Sequence, residues 1–283
     1  MSVKYTPMMG VLGQHNLLNS IPNSLDKFPH TVLLEGRKGS GRHHVIKEIT
    51  TLLNVKDVDL KELGINKDTI NDLILSPTTH FCVLDLDGVS IKEQNVMLKF
   101  LEEPLNHCYV ILLCEDSSQV IPTVLNRCQH WKMDIYTKDE LEAFYNTCIE
   151  FDEYPYICPK ILEIAETPGD VLALLNTCSI DELIRLVENI INNIGNANFS
   201  NVLVLVDKIN EFNKEKGIVD FEIFLNIFFY VLKERIKSDS NIRLLDVYYK
   251  LQDIYKMHKM SYLHLNEKQL YEKFLLDLKI ILR

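Results

Sequence analysis

The sequence lacks an apolar run long enough to cross a bilayer, since a membrane-spanning helix needs about 20 such residues. The longest candidate, 223–232, is about half of that length and contains Asn226. The first residues, Met1-Ser2-Val3-Lys4, also lack the apolar centre of a signal peptide. These absences predict a cytoplasmic protein that has no membrane partner.

Positive charge is scarce as well: the chain has 40 Asp and Glu against 30 Lys and Arg, for a net charge of −10. A protein that holds nucleic acid through its overall field has the opposite balance. Any contact with DNA is therefore expected to be local, or shared with partner subunits.

Cysteines are present, but without the spacing that a metal site or a disulfide framework requires. Their number is odd and none forms a C-x-x-C pair, which disfavours zinc ligation and disulfides. We expect reduced, mostly buried thiols and no bound metal. The seven cysteines are Cys82, Cys108, Cys114, Cys128, Cys148, Cys158 and Cys178.

The chain does have ample material for a core, since 47% of its 283 residues are hydrophobic. In the first half, apolar runs at 31–35, 81–85 and 109–114 alternate with helical patterns, and 130–135 is a possible fourth strand. Runs that are apolar on both faces are typical of strands in a covered parallel sheet. This alternation predicts an α/β sheet domain.

From residue 136 onward the patterns are helical, and only 201–206 is ambiguous. Capping boxes at 137–140 and 179–182, a weaker capping signal at 266–269, and Asp220 before an apolar run mark helix starts. The predicted fold class is α/β followed by all-α. The expected domains are 1–135, a small helical bundle at 136–178 and a larger one at 179–283.

A glycine-rich turn at 36–43 follows the first predicted strand and precedes a helix, the context and glycine spacing of a phosphate-binding P-loop. Two side chains depart from that motif: Arg42 replaces the lysine, and His43 replaces the hydroxyl that holds Mg²⁺. We therefore expect the shape without nucleotide chemistry, and no cofactor. The alternative is a turn that merely joins strand to helix. The candidate residues are Gly36, Gly39, Gly41, Arg42 and His43.

An acidic strand end follows at 83–87. Asp85 occupies the place where a P-loop ATPase holds its metal, but Leu86 occupies the place of the second acid and cannot polarise water. Asp87 comes one residue too late, and its side chain is expected on the other side if the strand continues. Asp85 and Asp87 can equally be ordinary solvated residues.

Two further motifs carry a family resemblance. Residues 92–104 read Lys-Glu-Gln-Asn-Val-Met-Leu-Lys-Phe-Leu-Glu-Glu-Pro, and 121–129 read Ile-Pro-Thr-Val-Leu-Asn-Arg-Cys-Gln. Together with the glycine turn, and with Gly13-Gln14 ahead of it, they resemble the clamp-loader branch of the AAA+ ATPases. Within that branch the chain is most similar to the bacterial delta-prime type, which lacks a working ATP site.

The resemblance implies roles for individual residues. Arg127 would be an arginine finger acting on ATP held by a neighbouring subunit; the alternative is a local ion pair. Asp170 stands where active relatives place a phosphate-sensing arginine. Lys92 and Lys99 lie on the helix that faces DNA in relatives, although both can equally be solvated. Residues 44–81 contain no cysteine, so the zinc module of many relatives is absent.

The resemblance also implies a function: a subunit without catalysis of its own in a DNA polymerase III clamp loader, within the DNA-directed DNA polymerase complex. Its partners would be ATPase subunits and a delta-type subunit in a hetero-pentamer, with 136–178 as lid and 179–283 as collar. The complex would place a sliding clamp on primer-template DNA. The alternatives are a self-sufficient AAA+ ATPase with an atypical P-loop, and a scaffold unrelated to replication.

Overall fold

A computed structural model describes residues 12–55, 60–63, 80–102, 108–151, 154, 157–177, 180–216, 221–239, 242–262 and 265–282. Some positions singled out in the sequence lie outside these ranges. They are Met1, Ser2, Val3, Lys4, Glu103, Pro104, Cys178, Ser179 and Asp220.

The first half builds one parallel sheet of five strands in the order β2-β3-β4-β1-β5. The strands are β1 (Thr31–Glu35), β2 (Leu60–Leu63), β3 (His80–Asp85), β4 (Cys108–Cys114) and β5 (Gln129–Lys132). Parallel strands need crossover connections, and the described ones contain α2 (Arg42–Leu52), α3 (Ile91–Glu102) and α4 (Pro122–Leu125), with a 3₁₀ turn at Ser117–Gln119. α1 (His15–Ser20) and a 3₁₀ turn at Leu25–Lys27 precede the sheet.

Both faces of the sheet are covered, as the continuous apolar runs predict. All of β1 is buried, with Val32 and Leu34 in one hydrophobic cluster and Leu33 in the other. The first cluster includes Val45 and other residues of α2, and the second includes Met97 and other residues of α3. Successive strand side chains point to opposite faces, so each central strand contributes to both cores.

The strands expected at 31–35, 81–85 and 109–114 are confirmed. β5 begins one residue earlier than predicted and ends at Lys132, and of its four side chains only Trp131 is buried. The sequence analysis missed β2 altogether. It lies at the edge of the sheet, where it pairs only with β3, and its central Lys61-Glu62 breaks any apolar run.

The described residues after Lys132 form helices and contain no strand, and the ambiguous segment 201–206 is helical. The α/β-then-all-α fold class is thereby confirmed. The helices are α5 (Lys138–Phe151), α6 (Ile161–Ile164), α7 (Pro168–Leu175), α8 (Ile180–Ile194), α9 (Phe199–Lys216), α10 (Phe221–Asp239), α11 (Ile242–Tyr262) and α12 (Glu267–Leu282). None of the described helices is long and apolar enough to cross a membrane.

Two predicted helix caps are confirmed. The Thr137 N–H donates to Glu140 Oε2 at 2.7 Å, and the Glu140 N–H donates to Thr137 Oγ1 at 3.3 Å. Asn266 and Gln269 make the same reciprocal pair at the start of α12. Each pair satisfies amides that a helix start leaves without partners.

The chain packs as two compact units, Met1–Glu140 with Thr167–Gly169, and Leu141–Glu166 with Asp170–Arg283. In the second unit, Phe224 and Phe228 of α10 pack edge-to-face against Phe274 of α12, with ring centroids 6.1 and 5.0 Å apart. These rings form its core. The domain boundaries expected at 136 and 179 stay a prediction.

Candidate functional site

The glycine turn, residues 36–43, leaves the carboxyl end of β1 and leads directly into α2. Gly39 and Gly41 have φ values of +78° and +86°, in the left-handed region that favours glycine. Gly41 is the residue immediately before the helix, which begins at Arg42. The strand–turn–helix geometry expected from the motif is therefore present.

The outer side of the glycine turn is tightly packed. A Cβ at Gly39 would lie 2.7 Å from Thr167 Oγ1 and 3.1 Å from the Gly169 Cα. The Gly169 N–H donates to the Gly39 carbonyl at 2.9 Å, and the Tyr136 hydroxyl donates to the Ser40 carbonyl at 2.5 Å. The turn is thus held by two segments distant in sequence, one at Tyr136 and one at 167–169.

Arg42 is buried, and its charge is neutralised within the chain. Its Nη1 lies 2.7 Å from Asp87 Oδ2, and the side chains are 9% and 22% exposed. A cation in the first turn of a helix opposes the helix dipole, and the first turn of α2 has no acidic residue, so Asp87 provides the compensation. The sequence analysis expected Asp87 on the other side only if the strand continued; β3 ends at Asp85, and the ion pair with Arg42 was not predicted.

The end of β3 and the residue that follows β4 hold Asp87 in place. The Asp87 N–H donates to Asp85 Oδ1 at 2.9 Å, and Asp87 Oδ1 accepts from the Glu115 N–H at 2.8 Å. Leu86 is buried, and its N–H continues the sheet pairing to the Leu113 carbonyl. The strand ends in a turn, which brings Asp87 back toward the glycine turn.

His43, the second departure from the motif, is exposed on α2. Imidazole is a poor ligand for Mg²⁺, which prefers oxygen. In the parts of the chain that the structure describes, no group of three or more His, Cys, Asp or Glu side chains is placed to hold a metal ion.

A second charged cluster lies at the end of β1. The carboxylate of Glu35 accepts from Lys132 Nζ at 2.7 Å and lies 2.8 Å from His130 Nε2, both on β5. Burial raises the pKa of Glu35, but hydrogen bonds from Lys132 and Ser117 outweigh it, so the net pKa lies below its usual value. Lys132 has a raised pKa because it donates to this carboxylate. Glu35 is therefore a structural anion beside the turn.

The thiols near these groups are not activated. Burial, with a further contribution from Glu35 and Asp87, raises the pKa of Cys114 to about 12. Burial alone raises the pKa of Cys128 to about 12. The thiolate is the reactive form of cysteine, so neither residue is a nucleophile at neutral pH.

Arg127 lies just after α4, and its side chain is 32% exposed. Its Nη1 donates to the Thr123 carbonyl at 2.7 Å, and its Nη2 forms an ion pair with Glu102 at the end of α3. The local ion pair that the sequence analysis gave as the alternative to an arginine finger is therefore present, and the finger role stays a prediction. The residues expected at the glycine turn and Arg127 lie in the same unit.

Gln94 connects α3 to the segment that leads to Arg127. Its buried side-chain amide donates to the Val89 and Gln119 carbonyls, both at 3.1 Å, and accepts from the Ile121 N–H at 2.9 Å. The sequence analysis quoted Gln94 without a role. A glutamine on the apolar face of a helix is the signal that would have found it, because buried amides need partners.

The other expected positions carry less chemistry. Asp170 Oδ2 accepts from the Glu166 N–H at 3.0 Å, which caps α7. Lys92 and Lys99 are exposed on α3, as both the DNA-facing and the solvated interpretation require. Gln14, part of the expected family opening, is buried, and its side-chain amide hydrogen-bonds to the backbone C=O and N–H of Asp134.

Comparison with known proteins finds similarity to subunits of DNA polymerase III. The sequence model of the family "DNA polymerase III, delta subunit" matches residues 63–136. The chain is 23% identical over 178 residues to DNA polymerase III subunit tau of Bacillus subtilis (strain 168). It is 25% identical over 170 residues to DNA polymerase III subunit gamma of Buchnera aphidicola subsp. Schizaphis graminum. These alignments cover 50% and 47% of this chain, and 32% and 47% of the two relatives.

The fold is similar to that of a Thermotoga maritima RuvB variant, with a TM-score of 0.51 and 15% sequence identity over 94% of this chain and 87% of that one. At this identity the likeness concerns the fold alone. It agrees with the parallel sheet followed by helices. The sequence matches confirm the resemblance to clamp-loader subunits of DNA polymerase III that the motifs predict.

Proposed function

We propose that this chain is a delta-prime-type clamp-loader subunit that hydrolyses no ATP itself and lends Arg127 to ATP bound by a neighbouring subunit. One observation carries the proposal: the two motif arginines have opposite environments. Arg42 is buried against Asp87, whereas Arg127 is accessible at the surface.

The chemistry of the glycine turn supports the absence of hydrolysis. A working P-loop offers a lysine charge to the β- and γ-phosphates and a hydroxyl to Mg²⁺. Here the guanidinium of Arg42 is buried in an ion pair with Asp87, and His43 brings no oxygen ligand. Leu86 is buried where a second acid would orient water. Each of the three parts that the reaction needs is replaced.

The placement of Arg127 supports a role in trans. Charge builds up on the oxygens of a transferring phosphoryl group, and an arginine supplied by a neighbour can raise the rate by about 10³ to 10⁵. Such an arginine must be exposed in the separate subunit and rigid enough to be aimed. Arg127 is one-third exposed and held at two of its nitrogens.

The assembly follows from the same resemblance. The partners would be ATPase subunits and a delta-type subunit in a cytoplasmic hetero-pentamer that loads a sliding clamp onto primer-template DNA. Residues 136–178 would form the lid and 179–283 the collar that joins subunits. The chain spans 32% and 47% of the relatives it matches, so these partners are part of the proposal.

The decisive experiment substitutes Arg127 in the reconstituted complex and measures DNA-stimulated ATP turnover. With Arg127→Ala, hydrolysis at the neighbouring site should fall about 10³-fold. Turnover with Arg127→Lys should lie between that of the unmodified complex and that of Arg127→Ala, because lysine keeps the charge but not the planar guanidinium. Arg37→Ala, an exposed arginine of the glycine turn in the same unit, is the control and should leave turnover unchanged. Undiminished turnover with Arg127→Ala, in a complex of unchanged native mass, would remove the role.

A binding measurement on the isolated chain tests the other half of the proposal. We expect no micromolar affinity for Mg-ATP and no turnover. Micromolar binding with hydrolysis would instead favour a self-sufficient AAA+ ATPase. Failure of the tagged chain to co-purify with clamp-loader ATPase subunits would favour a scaffold outside replication.

A further inference from the structure

The ion pair between Arg127 and Glu102 joins two elements that are distant in sequence. Glu102 is the last residue of α3, and Arg127 follows α4. The side chains are 49% and 32% exposed, so the pair lies at the surface without being covered. The second anchor of the guanidinium, the Thr123 carbonyl, belongs to α4 itself.

Stability does not explain this pair. Exposed ion pairs contribute little to folding because water and salt screen them and because two long side chains must be ordered. A carboxylate in the last turn of a helix also opposes the helix dipole, which favours cations there. Glu102 therefore occupies a place where a charge of the other sign would stabilise the helix better.

Orientation does explain it. An unanchored arginine has many rotamers, and a group that must meet a phosphoryl oxygen in one geometry reacts faster when it is already aimed. A guanidinium carries five N–H donors, and the contacts to Glu102 and Thr123 engage only two of them. Arg127 can thus keep both anchors while it contacts an anion.

We propose that Glu102 is a positioning residue: its carboxylate holds the Arg127 guanidinium in the direction needed by the active site of the neighbouring subunit. This inference rests on the function proposed above. The opposite role is inhibitory: Glu102 would hold Arg127 away from ATP until the subunits assemble. The exposure of both side chains favours positioning, because an anion can reach the guanidinium while both anchors stay in place.

The test is a double-mutant cycle in the reconstituted complex, with Glu102→Ala, Arg127→Ala and both together. Glu102→Ala should lower kcat for DNA-stimulated ATP hydrolysis about tenfold, within the 10²-fold that a 1 Å misplacement can cost. KM for ATP should not change, because Glu102 does not touch the nucleotide. Glu102→Gln keeps an acceptor oxygen and should lose about threefold. In the Arg127→Ala background, Glu102→Ala should have no further effect.

The control is Glu93→Gln, the same loss of charge on an exposed glutamate in the first turn of α3, which should leave kcat unchanged. If Arg127→Ala has no effect, the proposed function fails and this inference with it. If Arg127→Ala slows hydrolysis but Glu102→Ala does not, only the positioning role fails. Faster hydrolysis with Glu102→Ala would show instead that Glu102 holds Arg127 away from ATP. If Glu102→Ala lowered kcat equally in the Arg127→Ala background, Glu102 would act independently of Arg127.

Discussion

Two arginines in one unit of this chain each pair with a carboxylate, and they differ in almost everything else. Arg42 opens a helix, is 9% exposed, and faces Asp87 from the turn after β3. Arg127 follows a short helix, is 32% exposed, and faces Glu102. The comparison teaches that an arginine in a nucleotide-site motif is available to a phosphate only if its own chain has not already buried and neutralised it.

The two regions also differ in how they are held. Asp87, the partner of Arg42, is fixed by the Asp85 carboxylate and the Glu115 N–H, and the glycine turn is packed against distant segments. Arg127 is held by its guanidinium, which contacts the Thr123 carbonyl and the Glu102 carboxylate. The free energy of unfolding should therefore depend strongly on the Arg42–Asp87 region and weakly on the Arg127–Glu102 region. ATP turnover in the complex should depend more on the Arg127–Glu102 region.

The largest expected effect on stability comes from removing Asp87. Asp87→Ala leaves the guanidinium of Arg42 buried without a partner, and breaking a buried ion pair costs about 3–5 kcal/mol of the free energy of unfolding. Because Asp87 is 22% exposed, we expect about 3 kcal/mol, measured by urea denaturation.

Asp85→Ala is the control for that variant, since Asp85 accepts only one backbone N–H, from Asp87. It should lose about 1 kcal/mol. If Asp87→Ala loses no more than Asp85→Ala, the Arg42–Asp87 pair is not what stabilises this region.

Packing of the glycine turn is tested by Gly39→Ala. The positive φ alone costs about 1–2 kcal/mol, and the new Cβ would press on Thr167 and Gly169, so we expect about 2–3 kcal/mol. Gly88→Ala is a matched control, because Gly88 has φ +77° and a Cβ there would meet nothing within 4 Å. Equal losses in the two variants would mean that the segment 167–169 does not constrain the turn.

The Glu35 cluster makes stability near the turn depend on pH. In the folded chain the pKa of Glu35 is lowered from its ordinary value of 4.5. The stabilisation of the folded state by the charged carboxylate is therefore present above that ordinary value, and it is lost as pH falls through the folded-state pKa. Glu35→Gln should cost about 1.5 kcal/mol at pH 7, where hydrogen bonds to a charged group are lost. Urea denaturation between pH 3 and 7 should show a shallower acid dependence for the variant. An unchanged pH profile would contradict this role of Glu35.

The smallest effect on stability is expected from Arg127→Ala. Its ion pair is exposed, so the free energy of unfolding should change by less than about 1 kcal/mol, even though turnover in the complex should fall most. Thermal unfolding of the isolated variant checks this. A loss as large as that of Asp87→Ala would erase the difference between the two regions.

Much of the fold could be predicted from local patterns. The strands β1, β3 and β4 are continuous apolar runs because both of their faces are covered, and such runs can be recognised in the sequence alone. The capping pairs at Thr137 and Asn266 are visible for the same reason, since the two partners are three residues apart. The motifs also single out Arg127 and the glycine turn from the sequence alone.

The missed features all depend on partners that are distant along the chain. The edge strand β2 forms through backbone pairing to β3 and has no apolar run of its own. Asp87 turns back toward a residue 45 positions earlier, and the amide of Gln94 reaches a segment 25 positions later. Sequence spacing does not reveal such contacts.

By itself, the amino-acid sequence determined the order of the buried strands, the alternation that produces a covered parallel sheet, and the side chains present at each motif position. Those follow from local propensity and hydrophobic period, which act over a few residues. Only the tertiary structure decided which arginine is buried and which is accessible, and which carboxylate each one meets. Burial and pairing of charges depend on where the ends of separate strands and helices come together, and that is fixed only when the whole unit has folded.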